Sequence, residues 1–187
     1  MNDKDYQRIE KIKNKLTVER NHLGKAGEYF VAGKLLLNGF NVYNGAIDDG
    51  IDLVARKKRK FYYIQVKTCQ DIEYDSGKFI ARINLSSLSK YPQNNTFLIL
   101  VLHLLGPTAS LDSIGDHNRY DQEFVVIPAN KLSNFFNKIT GYAILHIHYS
   151  PLMDIQNNIG WIVKLLYGGK EFILDNYLID SFWQIEI

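Results

Sequence analysis

Two short stretches alternate apolar and polar positions with a period of two. Ile51, Leu53 and Ala55 share one side of the first and leave Asp52 on the other, while Tyr62, Ile64 and Val66 of the second oppose Tyr63, Gln65 and Lys67. Both read as β-strands, and Arg56, Lys57, Lys58, Arg59 and Lys60 between them read as the charged connection of a hairpin. Upstream the period changes. Residues 22–37 carry Gly24, Glu28, Val31, Ala32 and Leu35 at helical spacing, and Asn38-Gly39 stops that helix before a strand at 40–43. Residues 4–20 form a weakly amphipathic helix through Tyr6, Ile9, Ile12 and Leu16. Downstream we expect a strand at 80–85, a short helix at 86–90 halted near Pro92, a buried strand at 97–104 and a loop over 106–121. A strand at 123–127, a helix opened by Pro128 and a strand at 142–149 follow. The last forty residues are ambiguous, with a strand at 161–167 and a helix after Gly168-Gly169 as the expected elements.

This order predicts an α/β protein. No Pro/Gly/Ser-rich linker divides the 187 residues, so one domain at 22–187 is expected behind an N-terminal helical arm at 1–21, with a core at 22–104 and a C-terminal elaboration at 105–187. The longest apolar stretch, Phe97 to Leu105, is nine residues with His103 inside it, against the roughly 20 that a membrane helix needs. A charged N-terminus, Met1-Asn2-Asp3-Lys4-Asp5, is unlike a signal peptide, and the expectation is a soluble, cytoplasmic protein. The single cysteine, Cys69, excludes an internal disulfide and reads as a packing thiol.

Net charge is only +2, but it is unevenly spread. Residues 1–69 hold 14 Lys/Arg against 8 Asp/Glu (+6), leaving 8 against 12 (−4) for residues 70–187. The basic surplus therefore accompanies the paired strands. Arg56 to Lys60 could attract phosphates through a salt-sensitive, sequence-independent attraction, or form a solvated turn.

Candidate chemistry centres on the same strands. Asp52, Gln65 and Lys67 bring an acid, an amide and an amine toward one end of a sheet. Glu28 adds a carboxylate on a helix stripe that is otherwise core-facing; either it has a partner, such as a lysine or a metal, or it lies at the stripe's edge and reaches solvent. Asp48 and Asp49 compete with Asp52 as the acid, although directly before Gly50 they read more simply as turn residues. Tyr63, on the Gln65 face, could stack on a base. Glu73 and Asp75 could reach the site from a loop, but read first as solvated. His146 and His148 share a strand face, yet without a third ligand they read as exposed or partner-facing.

Taken together, Gly27-Glu28 on a helix, Gly39-Phe40-Asn41-Val42, Gly50-Ile51-Asp52-Leu53-Val54 and Ile64-Gln65-Val66-Lys67-Thr68 resemble the PD-(D/E)XK nuclease superfamily. More narrowly they resemble the Mrr-like restriction endonucleases and the archaeal-type Holliday junction resolvases. The resemblance implies a restriction-endonuclease-like core, a mixed central sheet flanked by helices. It also implies a metal-dependent endonuclease acting on DNA with Mg²⁺ or Mn²⁺. Asp52 would ligate the ion, Gln65 would offer its amide oxygen and Val66 its backbone carbonyl, with waters completing an oxygen shell. Lys67 would position the attacking water or hold a phosphate oxygen, and Glu28 would reach the ion through water or bind a second one. Gln65 stands where most of the superfamily has an acid, and Ile51 where it has Pro; Mrr-like members carry Gln-x-Lys. A homodimer is expected by analogy with relatives that cut both strands. The alternative is a nuclease-fold protein without cleavage, acting as a nucleic-acid-binding or protein-interaction module.

Overall fold

The computed structural model describes residues 20–45, 50–70, 78–105, 120–136, 141–153, 159–167 and 170–173. The expected helix at 4–20 and nearly all of the loop at 106–121 lie outside these residues. In chain order the described elements are helix α1 (Arg20–Leu37), strands β1 (Asn41–Asn44), β2 (Leu53–Lys57), β3 (Lys60–Gln70) and β4 (Lys78–Asn84), and the short helix α2 (Leu85–Ser89). A 3-10 turn (Gln93–Asn95), β5 (Thr96–Leu105), β6 (Tyr120–Pro128), α3 (Ala129–Phe135), β7 (Tyr142–Met153), β8 (Ile159–Tyr167) and β9 (Lys170–Ile173) complete them.

Helix α1 stops where its sequence says it should. Gly39 takes a left-handed φ of +80°, so that its N–H reaches the Leu36 carbonyl at 2.9 Å and Phe40 N–H reaches that of Leu35 at 3.1 Å. These two bonds satisfy carbonyls that the helix end would otherwise leave open. The chain then enters a five-stranded mixed sheet ordered β1-β2-β3-β5-β6, in which β3 and β5 run parallel and the other pairs antiparallel. A second, antiparallel sheet is ordered β4-β7-β8-β9.

The central sheet is buried on both faces around β5, where the parallel β3–β5 pair lies, whereas β1 is largely exposed and β2 buries only one face. On one face Val31 and Leu35 of α1 pack with Leu53, Ile64, Val66 and Ile99. Each such aliphatic side chain is worth about 1.5–3 kcal/mol of burial. On the other face Leu98, Leu100 and Val125 meet Phe79, Ile83 and Leu145 of the second sheet. The expected mixed central sheet flanked by helices is present: α1 covers one face, and α2 and α3 lie at the margin of the other, which the second sheet mainly covers. The reason lies in residues 78–84, whose strict exposed/buried alternation makes an amphipathic strand that must bury one side. Of the helix expected after Gly168-Gly169, residues 170–173 are instead strand β9, where Lys164 pairs with Ile173 and Tyr167 with Lys170, and residues 174–187 lie outside the described residues. Antiparallel pairing with β8 fixes these four residues as a strand. No helix among the described residues is long and apolar enough to cross a membrane.

Candidate active site

The site forms where β2 ends and β3 continues. Pairing of β2 with β3 stops at Leu53 and Ile64, whereas β3 stays paired with β5 as far as Gln70. Beyond Ile64 one edge of β3 is therefore open, with no β2 backbone beside it. Asp52 fills the first gap: its Oδ2 accepts the Val66 N–H at 2.6 Å, the place a backbone carbonyl would take in a longer ladder. Its own N–H donates to the Ile64 carbonyl at 2.9 Å, and its carbonyl accepts from Gly45 at 2.9 Å. Asp52 is thus held at three points. Burial pushes its carboxyl pKa up, and Glu28 adds to the rise; the Val66 N–H, Lys67 and Lys25 pull the other way. Asp52 therefore lies within electrostatic reach of all three charged neighbours.

Gln65 follows Ile64, the last β3 residue paired with β2, and is completely buried (0% exposed). Its Nε2 donates to the Gly50 carbonyl at 2.7 Å, and its Oε1 has no hydrogen-bond partner. A buried acceptor without a donor costs about 1–3 kcal/mol. The assignment of N and O is fixed by chemistry, because the Gly50 carbonyl can only accept and the flipped amide would set oxygen against oxygen. Lys67, two residues on along the same face, is half-buried, and its ammonium makes no hydrogen bond or ion pair among the described residues.

Glu28 arrives from α1. Gly27 rests directly on Thr68 of β3, with no room for a side chain between them, and this close approach sets the helix beside the open edge. Both expectations for Glu28 meet in the result: it is half-buried at the edge of the stripe, and it has a partner, Lys25, at 2.6 Å. Lys25 was not singled out from the sequence, although its i, i+3 spacing from Glu28 carried the signal. Ser87, buried against Gly50, was also missed, and no local pattern marks it.

The fold thus gathers Asp52, Gln65, Lys67 and Glu28 around Val66. It does not bring the basic run to them. Lys58 and Arg59 form the turn at the far end of the β2–β3 hairpin, about 15–20 Å from Asp52 at roughly 3.3 Å per residue. Lys57 is engaged there: its Nζ donates to the Asn38 carbonyl at 2.9 Å and lies 4.9 Å from the centre of the Phe40 ring, closing the end of α1. Arg56, Lys58, Arg59 and Lys60 are exposed. Tyr63 stacks on Tyr91, with ring centres 4.3 Å apart, so one of its faces is covered.

Cys69 is buried in the second core and its thiol pKa is pushed up to about 12 by burial, which makes it a packing residue. His146 is exposed on β7, and no group of three or more His, Cys, Asp or Glu that could hold a metal occurs among the described residues. Asp48, Asp49, Glu73, Asp75 and the side chain of His148 lie outside them.

No family model matches this chain, and no curated protein matches it. Among solved structures, it is similar to "The structure of a bacterial homing endonuclease: I-Ssp6803I", with 14% identity and a TM-score of 0.47 over 74% of this chain and 81% of that one. What the fold and site define directly is a mixed α/β protein with acid, amide and amine side chains collected at the open edge of its central strand.

Proposed function

We propose that this chain is a metal-dependent endonuclease of the PD-(D/E)XK type that hydrolyses DNA phosphodiester bonds. The observation that carries the proposal is the buried Gln65 Oε1, an oxygen acceptor left without a donor, beside a desolvated carboxylate and the Lys67 ammonium, which makes no hydrogen bond or ion pair among the described residues. Nature rarely leaves such an atom unmet, and a hard cation takes oxygen ligands of this kind. The residues therefore fit the ion that the sequence resemblance implies. Asp52, Gln65 and the Val66 carbonyl would hold Mg²⁺ or Mn²⁺, with Glu28 reaching it through water. Bound there, the ion would neutralise charge on the scissile phosphate and acidify the attacking water.

The chain's own groups account for the rest. The Val66 N–H fixes the Asp52 carboxylate and leaves its second oxygen for ligation. Lys67, with no competing partner among the described residues, is available to hold a phosphate oxygen or orient the water. The Lys25–Glu28 pair places a second carboxylate nearby at little electrostatic cost. Exposed cations on the hairpin would contact flanking backbone phosphates, not the reacting one. The homodimer belongs to the same proposal, since one site cuts one strand.

Purified protein incubated with Mg²⁺ or Mn²⁺ should cut at least one of plasmid, single-stranded or branched DNA, and Asp52→Ala should abolish both cutting and metal binding. If no DNA is cut and Asp52→Ala leaves metal binding unchanged, the enzymatic reading fails. DNA binding without cutting would then leave the binding-module reading.

A further inference from the structure

Three polar side chains are fully buried among the described residues: Gln65, Ser87 and Thr96. Thr96 is explained locally, since its hydroxyl donates to the Pro92 carbonyl at 2.9 Å. Gln65 and Ser87 come from different elements, β3 and α2, and they meet at one residue, Gly50. We infer that Gly50, clamped by Ser87, is a positioning residue that sets the direction of the Gln65 amide and so decides that position 65 works as a neutral oxygen ligand.

The inference rests on the function proposed above and deepens it. Gly50 has a left-handed φ of +89°, which favours glycine, and this conformation turns its carbonyl onto Gln65 Nε2 at 2.7 Å. A side chain on Gly50 has nowhere to go: its Cβ would fall on the Ser87 hydroxyl and 2.6 Å from the Ser87 Cβ. Ser87 itself cannot easily yield, because α2 begins with the Asn84 side chain accepting the Ser87 N–H at 3.3 Å. The segment is tied down from its other side as well, through Gly45 to Asp52 and Asp52 to Ile64. The carbonyl is therefore a fixed acceptor, and it selects a side chain that carries a donor on one branch and an acceptor on the other. Among side chains with no titratable proton, only an amide does this. A carboxylate in the same place would set oxygen against the Gly50 oxygen. The amide at position 65 is thus matched to a backbone feature fifteen residues away, and is not a defective copy of an acid.

The test uses the full chain with Gln side chains labelled with ¹⁵N. In metal-free protein the Gln65 amide protons should exchange at least tenfold more slowly than those of an exposed glutamine. Gly50→Ala alone is expected to misfold through strain and clash. The informative variant is therefore Gly50→Ala with Ser87→Gly, which removes the clash while keeping an L side chain at the left-handed position. With folding verified by circular dichroism, this double variant should lose the slow exchange and bind Mn²⁺ at least tenfold more weakly by titration, in the absence of DNA. A merely structural role would lower melting temperature and leave the affinity of the folded protein unchanged. Wild-type exchange as fast as in an exposed glutamine, or an unaltered Mn²⁺ affinity in the folded double variant, overturns the inference. Tight Mn²⁺ binding by wild type without cleavage of any DNA would instead sink the proposed hydrolysis and leave the role of Gly50 standing.

Discussion

Replacing Gln65 by Glu would put an acid where the PD-(D/E)XK nucleases that the motifs resemble mostly carry one, yet the structure predicts that it damages the metal-free protein. The bond from Nε2 to the Gly50 carbonyl at 2.7 Å is lost, at a cost of about 0.5–1.5 kcal/mol. In its place two acceptors face each other, and a carboxylate occupies a fully buried position, a penalty of several kcal/mol. Lys67 along the strand attracts the new charge and the nearby Asp52 repels it, so these two effects oppose each other. The net loss is about 3–5 kcal/mol, a large part of the 5–15 kcal/mol typical of a folded domain. For a chain of this size that lowers the melting temperature by about 6–20 °C. The assay is thermal unfolding of wild type and Gln65→Glu in chelator and in millimolar Mg²⁺ or Mn²⁺. In chelator the variant should melt well below wild type; with metal, a dication between the carboxylates of Glu at 65 and Asp52 should recover most of the deficit. Gln65→Met, which carries neither donor nor acceptor at that end, should show no metal response at all. The reasoning is refuted if Gln65→Glu in chelator melts within about 2 °C of wild type, or if metal leaves its deficit untouched.

The other predictions address the surroundings. Asp52→Asn should abolish metal binding while stabilising the metal-free fold by about 0.5–2 kcal/mol, the usual return for relieving a strained functional site. Because the Asp52 pKa is raised on folding, the folded state holds its proton more tightly, so wild-type stability falls as pH rises from the unfolded value through the folded one. The advantage of Asp52→Asn should therefore be small in acid and grow as pH rises through that window, and an advantage largest in acid contradicts the stated cause. Gly27→Ala should cost about 1–3 kcal/mol by forcing α1 off Thr68, and Thr68→Ala in the same chain should return most of it in denaturant titrations. Lys58 has a left-handed φ of +56° at the hairpin turn, so Lys58→Gly should add about 0.5–1 kcal/mol of stability. If hairpin cations contact phosphates, the same change should reduce the salt dependence of DNA binding by about one charge.

Much of this molecule was legible in its pattern of apolar positions. The two-residue period at 51–55 and 61–67 and the helical stripe ending at Asn38-Gly39 are local properties, set by which side of each element must leave water. They located β2, β3, α1 and its glycine stop, and with them Asp52, Gln65, Lys67 and Glu28 as side chains able to share one end of a sheet. Contacts between distant segments were another matter. That a second sheet covers the central one depends on β4 pairing with β7, some sixty residues later, and no local period encodes a partner. The same holds for Ser87 against Gly50 and for Lys57 engaged at the end of α1. Above all, the sequence told that residue 65 is an amide on the face of Lys67; only the tertiary structure decided what its two ends do. One is held by a carbonyl fifteen residues away and the other is left buried with no donor, because solvent is excluded from a position that the chain closes from both faces.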